Sequence, residues 1–172
     1  MATILQRLDA RDRALFARWA LEQSAARRDR VLWEMLTHLG SAWCSVALCL
    51  LPIVTGAFVS AGTSPLAILV ASHVVIQVLK RSVGRARPET WHACIDVPDR
   101  FSFPSGHAAA AMSVAIGFAH AFPDVAAVLI VLAVLVGLSR VVLRVHYPSD
   151  VFVGQTIAML TAAALSVLGL SA

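Results

Sequence analysis

The stretch from Thr37 to Leu79, THLGSAWCSVALCLLPIVTGAFVSAGTSPLAILVASHVVIQVL, contains no Asp, Glu, Lys or Arg. A hydrocarbon core of about 30 Å takes on the order of 20 apolar residues in a helix, fewer where helices tilt or the bilayer thins. An uncharged run of this length therefore reads as membrane-crossing chain, with room for two passes. The Gly62-Thr63-Ser64-Pro65 cluster divides it into spans near Ser41 to Ala61 and Ser64 to Leu79. Gly106 to Phe122 and Asp124 to Ser139 form two more, separated by Pro123, which suits a first helical turn and cannot continue a helix. Val151 to Leu170 is a last, uncharged span. The expected fold is all-α, a polytopic transmembrane helix bundle of about five spans over residues 41–172.

Composition agrees with this reading. Of 172 residues, 59% are hydrophobic and 14% charged, against roughly a quarter charged in soluble domains. The length suits one domain. The net charge of +4 is clumped between long uncharged stretches, which points to membrane and phosphate chemistry and away from a nucleic-acid partner. Cys44, Cys49 and Cys94 are odd in number and lack ligand spacing, so neither a disulfide framework nor a zinc site is indicated. Cys44 and Cys49 read as small buried hydrophobes.

Residues 1–40 differ from the rest. Leu5, Leu8, Leu15, Phe16 and Trp19 recur near helical spacing among arginines, and Val31, Leu32, Met35, Leu36 and Leu39 repeat the pattern after a polar break. Such amphipathic helices either lie in the headgroup plane or pack on their own bundle. Mixed acidic residues and a late apolar run argue against a cleaved signal peptide.

With five spans, all fourteen Lys and Arg and all four Trp fall on one side, and the opposite side shows two tight turns with Asp124 as its charge. Between the second and third spans stands Lys80-Arg81-Ser82-Val83-Gly84-Arg85-Ala86-Arg87-Pro88, four cations within eight positions. Alone, such a cluster is an ordinary anchor for anionic headgroups. Phe103-Pro104-Ser105-Gly106-His107 then opens the third span, so the N–H groups of Ser105, Gly106 and His107 should point from a helix start, a ready anion site. Gly106 allows close approach to the backbone, and His107 adds a titratable imidazole. Arg140 ends the fourth span, where its guanidinium fork matches two phosphoryl oxygens. His146 and Asp150, four residues apart at the entry to the fifth span, can meet across one helical turn. The carboxylate would accept a hydrogen bond from one ring nitrogen and leave the other unprotonated and aimed outward, and Asp150 could serve as a helix cap as well. His73, Gln77 and Lys80 recur on the second span as a polar stripe expected to face the bundle.

Taken together, Lys80, six residues, Arg87-Pro88; Pro104-Ser105-Gly106-His107; and Ser139-Arg140, five residues, His146, three residues, Asp150 resemble the three-part signature of the type 2 phosphatidic acid phosphatase superfamily of membrane lipid phosphatases. The match in residue type and spacing covers Lys80 to Asp150. The resemblance implies His146 as the nucleophile that takes up the phosphoryl group, Asp150 as its orienting carboxylate and His107 as the acid for the leaving oxygen. It implies Lys80, Arg87, Ser105, Gly106 and Arg140 as phosphoryl ligands.

Phosphoryl transfer spreads negative charge over equatorial oxygens, and three cations with backbone donors can meet it. Glu89, Asp96, Asp99 and Asp150 do not resemble a two-metal carboxylate cage, so no metal and no cofactor is expected. A polyprenyl phosphate or diphosphate derivative, phosphatidylglycerophosphate or phosphatidic acid would serve as the lipid phosphate substrate. The competing reading is a non-enzymatic membrane protein that binds anionic headgroups through its basic loop. The arginines of the first thirty residues are outside the signature, and by the positive-inside rule they place the site on the cytoplasmic face of a bacterial plasma membrane, whereas many relatives of this type work on the outer face.

Overall fold

The computed structural model describes residues 4–22, 27–56, 59–88, 95 and 99–170. Seven α-helices follow one another: α1 (Ile4–Trp19), α2 (Arg27–His38), α3 (Ala42–Thr55), α4 (Val59–Val83), α5 (Gly106–Ala121), α6 (Ala126–Val142) and α7 (Pro148–Val167). No strand interrupts them among the described residues.

The first break in the apolar run falls earlier than the sequence suggests. α3 starts at Ser41, whose side chain accepts from the Cys44 N–H at 3.3 Å, and closes at Gly56, which takes a left-handed φ of 68° and returns its N–H to Ile53. Gly62-Thr63-Ser64-Pro65, read as a divider, lies inside α4. These small residues serve packing instead. A Cβ on Gly62 would collide with the Cys49 carbonyl of α3, and one on Gly117 of α5 would collide with Pro65. In a bilayer, close approach of small residues is a main source of helix association.

α5 is the axle, packed against α3, α4, α6 and α7. Its Ala108, Ala109, Ala111, Met112, Ser113, Val114 and Ala115 are buried, and Ser113 shares a hydrogen bond of 2.9 Å with Ser72 of α4. Five helices stand where about five spans were expected, but among the described residues three segments are individually long and apolar enough to cross: Gly62–Val83, Pro123–Val142 and Pro148–Val167. α2 and α3, bent by 48°, make a fourth if taken together. α5 has 16 residues, about 24 Å at 1.5 Å each. It is enclosed by other helices, so its length need not match the hydrocarbon. The outer faces of α3, α4, α6 and α7 expose Leu51, Val54, Val70, Val128, Phe152 and Leu160, an apolar girdle that lipid would cover. His73 also faces outward and pairs with Gln77 at 3.3 Å, so the inward stripe of α4 is Ser72, Ile76 and Lys80.

α1 packs on the bundle by one narrow face. Phe16 is buried among Ala108, Val141 and Val151 and meets the Tyr147 ring edge-on at 5.5 Å. Asp12, one turn earlier, is buried too, while Arg11, Leu15, Arg18 and Trp19 stay exposed.

Candidate active site

The up-and-down order of α4 to α7 carries the end of α4, the start of α5, the end of α6 and the start of α7 to one end of the bundle. Residues 80, 107, 140 and 146–150 sit at those four helix ends. Two loop segments are stitched together there: Ala86 and Phe101 form an isolated antiparallel bridge, Ser102 donates its N–H to Arg85 O at 2.8 Å, and its hydroxyl donates to Ala86 O at 3.0 Å. This seam holds the Arg85–Pro88 segment beside the Ser105-Gly106-His107 helix start.

The spacing from Arg140 to His146 has a local cause. After α6 ends, Arg144 adopts a left-handed φ of 65°, Arg144 N–H bonds to Val141 O at 3.0 Å and Val145 N–H bonds to Arg140 O at 3.1 Å. This is a Schellman closure with arginine where glycine is usual. His146 N–H reaches the same Arg140 carbonyl at 3.2 Å, which fixes the imidazole beside the guanidinium. Asp150 then caps its own helix by accepting the Tyr147 N–H at 2.8 Å.

Burial singles out the site. Arg140 is 1%, His146 2% and Asp150 0% exposed, where ionisable groups are rare unless paired. Lys80, Arg87 and Ser105 are buried, and Gly106 and His107 are half-buried, so the pocket opens past the start of α5. Arg140, His146, Lys80 and Arg87 all lie within electrostatic range of His107. Arg87 Nη1 lies 3.1 Å from His146 Nε2 and donates to Val145 O at 2.8 Å. Arg140 Nη1 donates to Thr37 Oγ1 at 2.8 Å, and its buried Nε has no partner among the described residues. Gly40 seats the end of α2 against α5, since a Cβ there would come within 2.7 Å of the His107 carbonyl.

Among the described residues one carboxylate bonds directly to these cations, and Asp150 acts on Arg87 from farther off. Asp99 accepts from Lys80 Nζ at 2.7 Å and from Arg87 Nη2 at 3.1 Å. Burial favours its protonated form, but Lys80 and Arg87 outweigh burial and hold its carboxyl below the ordinary value. Burial foremost, then the charges of Arg140, Arg87 and Lys80, keep His146 neutral well below the pH at which histidine usually titrates. A neutral ring with Nε2 facing the cations is the form a nucleophile requires.

Two expected contacts differ in detail. His146 Nδ1 stands 3.5 Å from Asp150 Oδ2 and forms no hydrogen bond among the described residues. Ser105 N–H is taken by Asp150 O at 2.9 Å, and the Ser105 hydroxyl caps α5 by accepting from Ala108 N at 3.5 Å. The outward N–H groups of the helix start are therefore those of Gly106 and His107. His92 and Cys94 lie outside the described residues.

A profile of the PAP2 superfamily matches residues 61–170. The chain belongs to the PAP2 superfamily. Lipid A 1-phosphatase of Rhizobium johnstonii is 37% identical over 94 residues, 50% of this chain and 38% of that one. Decaprenylphosphoryl-5-phosphoribose phosphatase of Mycobacterium tuberculosis is 40% identical over 89 residues, 48% of this chain and 47% of that one. The match thus spans less than half the length of these curated relatives. A transmembrane PAP2-type phosphatidylglycerolphosphate phosphatase from Bacillus subtilis superposes with a TM-score of 0.78 at 26% identity, covering 95% of this chain and 86% of that one. The apolar helices and this membrane neighbour make the PAP2 protein described here an integral membrane protein.

The signature accounts for the cations and the imidazoles but not for their supports. Arg85, between two signature positions, donates from Nη1 to Asp150 Oδ1 at 2.7 Å and Ser149 Oγ at 2.8 Å, and from Nη2 to Asp12 Oδ2 at 2.7 Å and Asp9 Oδ1 at 3.0 Å. Thr37, Asp99 and Asp12 are further partners. A sequence signal existed for Asp12 alone: a carboxylate one turn from Phe16, on the inward face of an amphipathic helix.

Proposed function

We propose that this protein hydrolyses a lipid phosphate or diphosphate monoester at the membrane surface, through a phosphohistidine on His146 and without a metal ion. The observation that carries this reading is a charge imbalance. Lys80, Arg87 and Arg140, all buried, have among the described residues one carboxylate in direct contact, Asp99, with Asp150 acting on Arg87 from farther off, and Arg140 Nε has no partner there. Buried charge without compensation is costly. A phosphate monoester, with a charge of about −1.5 to −2 at neutral pH, supplies the missing compensation.

In this reading the phosphoryl oxygens take hydrogen bonds from Lys80, Arg87, Arg140 and the N–H groups of Gly106 and His107, with Ser105 holding the helix start in place. His146 Nε2 attacks phosphorus in line, forming the N–P bond as the P–O bond to the lipid breaks. His107 gives its proton to the departing oxygen. Water then attacks phosphorus, returns a proton to His107 and releases His146 with inorganic phosphate. Asp150 stabilises the charge that develops on the His146 ring.

The relatives act, by name, on lipid A, a decaprenylphosphoryl sugar phosphate and phosphatidylglycerolphosphate, all phosphate esters on large apolar bodies. A polyprenyl phosphate derivative, phosphatidylglycerophosphate or phosphatidic acid is the corresponding substrate class here. The basic N-terminal helices favour a cytoplasmic site in a bacterial plasma membrane.

The test is phosphate release from a panel of these lipids in detergent, for wild type and His146→Gln, with and without chelator. Release by wild type that survives chelator and vanishes in the variant supports the reading, and chelator-sensitive release counts against it. Labelled substrate with an alkaline quench should leave acid-labile label on wild type, and label persisting in His146→Ala would remove the nucleophile assignment.

A further inference from the structure

Arg85 and Asp12 form a second ionic cluster behind the phosphoryl pocket, and it reaches the first helix of the chain. The Asp12 side chain is 6% exposed. Its Oδ1 accepts the Ser149 N–H at 2.9 Å, and its Oδ2 accepts the Ser149 hydroxyl at 2.6 Å and Arg85 Nη2 at 2.7 Å. Ser149 N–H is one of the unpaired donors in the first turn of α7, so a carboxylate from α1 caps the helix that carries Asp150. The other end of the same guanidinium binds Asp150 Oδ1, and its carbon lies 4.2 Å from the centre of the Tyr147 ring. Asp150 is therefore held by Tyr147 N–H on Oδ2 and by Arg85 on Oδ1, with the Ser102 side chain as a further partner. Its distance of 3.5 Å from His146 Nδ1 is set by that hold.

We propose that Asp12 and Arg85 are positioning residues for the hydrolytic step: α1, through Asp12, Arg85 and Ser149, fixes the Asp150 carboxylate against the His146 ring, so that the N-terminal helix completes the active site. The proposal rests on the reading of His146 and Asp150 given above. Neither residue bonds to Lys80, Arg87 or Arg140: their hydrogen bonds go to Asp9, Ser149, Asp150 and each other. Their loss should act on the chemical step and leave substrate binding alone. Misplacing a reacting group by about 1 Å can cost on the order of 100-fold in rate.

The experiment is a double-mutant cycle on the full chain in detergent, with Asp12→Asn, Arg85→Lys and the double variant, and His146→Ala as reference. Asn keeps the shape of the cap, and Lys keeps the charge but not the fork that reaches Asp12, Ser149 and Asp150 together. Each single variant should lose roughly 10- to 100-fold in kcat with KM within about twofold. The double variant should lose no more than the worse single one, because residues acting through one chain are not additive. Asp12→Glu should recover part of the loss. Melting curves in the same detergent allow kcat to be expressed per folded molecule. Multiplied losses, losses confined to KM, or a wild-type kcat per folded molecule with a lowered melting point would each overturn the proposal. An inactive His146→Ala beside any of these results overturns this proposal alone. An active His146→Ala removes the nucleophile assignment and the proposal with it.

Discussion

Arg85 and Arg87 stand two residues apart in one loop, yet their surroundings are opposite. Arg85 is saturated with anions, its two terminal nitrogens bound to Asp9, Asp12 and Asp150. Among the described residues Arg87 shares one contacting carboxylate, Asp99, with Lys80, feels Asp150 from farther off, and has Arg140 as a like-charged neighbour. The first arrangement is complete by itself. Among the described residues the second is short of negative charge, and buried charges left so are costly. In a single buried region, ionic saturation distinguishes a group that holds the structure from a group that awaits a ligand.

Breaking the unsaturated side should have the largest effect on turnover. Arg87→Gln is expected to lower kcat/KM by roughly 100- to 1000-fold, as removal of a donor to transition-state charge does, with the melting temperature unchanged or raised because a buried repulsion is relieved. Steady-state kinetics and a melting curve on one preparation check both halves. The saturated side should respond the other way. Arg85→Gln leaves the buried carboxylates of Asp12 and Asp150 without their cation, a change that costs about 3–5 kcal/mol in such settings. Its signature is a large fall in melting temperature and in the yield of folded protein, on top of the loss of kcat in the molecules that do fold.

The titration of His146 sharpens the contrast. Its folded form resists protonation, whereas the unfolded chain takes up a proton near the ordinary value of 6.5. Stability contributed by the neutral ring is present above that value and is lost as pH falls below it. Melting temperature should therefore decline in mildly acidic solution, and the decline should be shallower in His146→Gln. Asp99→Asn should have a smaller effect. Removing the internal competitor for Lys80 and Arg87 tightens inhibition by inorganic phosphate by roughly threefold, a modest factor because the carboxylate is 35% exposed and screened. His73→Ala should be nearly silent, within about twofold in kcat/KM, since the ring faces outward, pairs with Gln77 and touches none of the site.

Much of this was legible in the chain. The uncharged runs mark the apolar helices, because lipid tolerates few charges, and the signature residues fall where those runs begin and end, whereas the left-handed turn at Arg144 left no mark, since glycine is the usual residue there. The break at Gly56 was harder to read. Gly62-Thr63-Ser64-Pro65 has the composition of a turn, yet the same small residues serve close packing of α3, α4 and α5, and composition does not separate the two uses. His73 was misplaced for a related reason: three polar residues at helical spacing define a stripe, but a neighbouring stripe of Ser72, Ile76 and Lys80 won the interior by fitting against Ser113 and the pocket.

The sequence by itself determined that the chain enters a membrane and that its cations, two imidazoles and an aspartate gather at one surface, since hydropathy and covalent spacing are properties of the chain alone. The tertiary structure decided that Arg85 is the arginine saturated with carboxylates, because its partners are chosen across 64 to 76 residues of chain by how whole helices dock. Asp12 reaches Ser149 from 137 residues away, and only the packing of α1 onto α7 brings that carboxylate to a helix it shares no local sequence with.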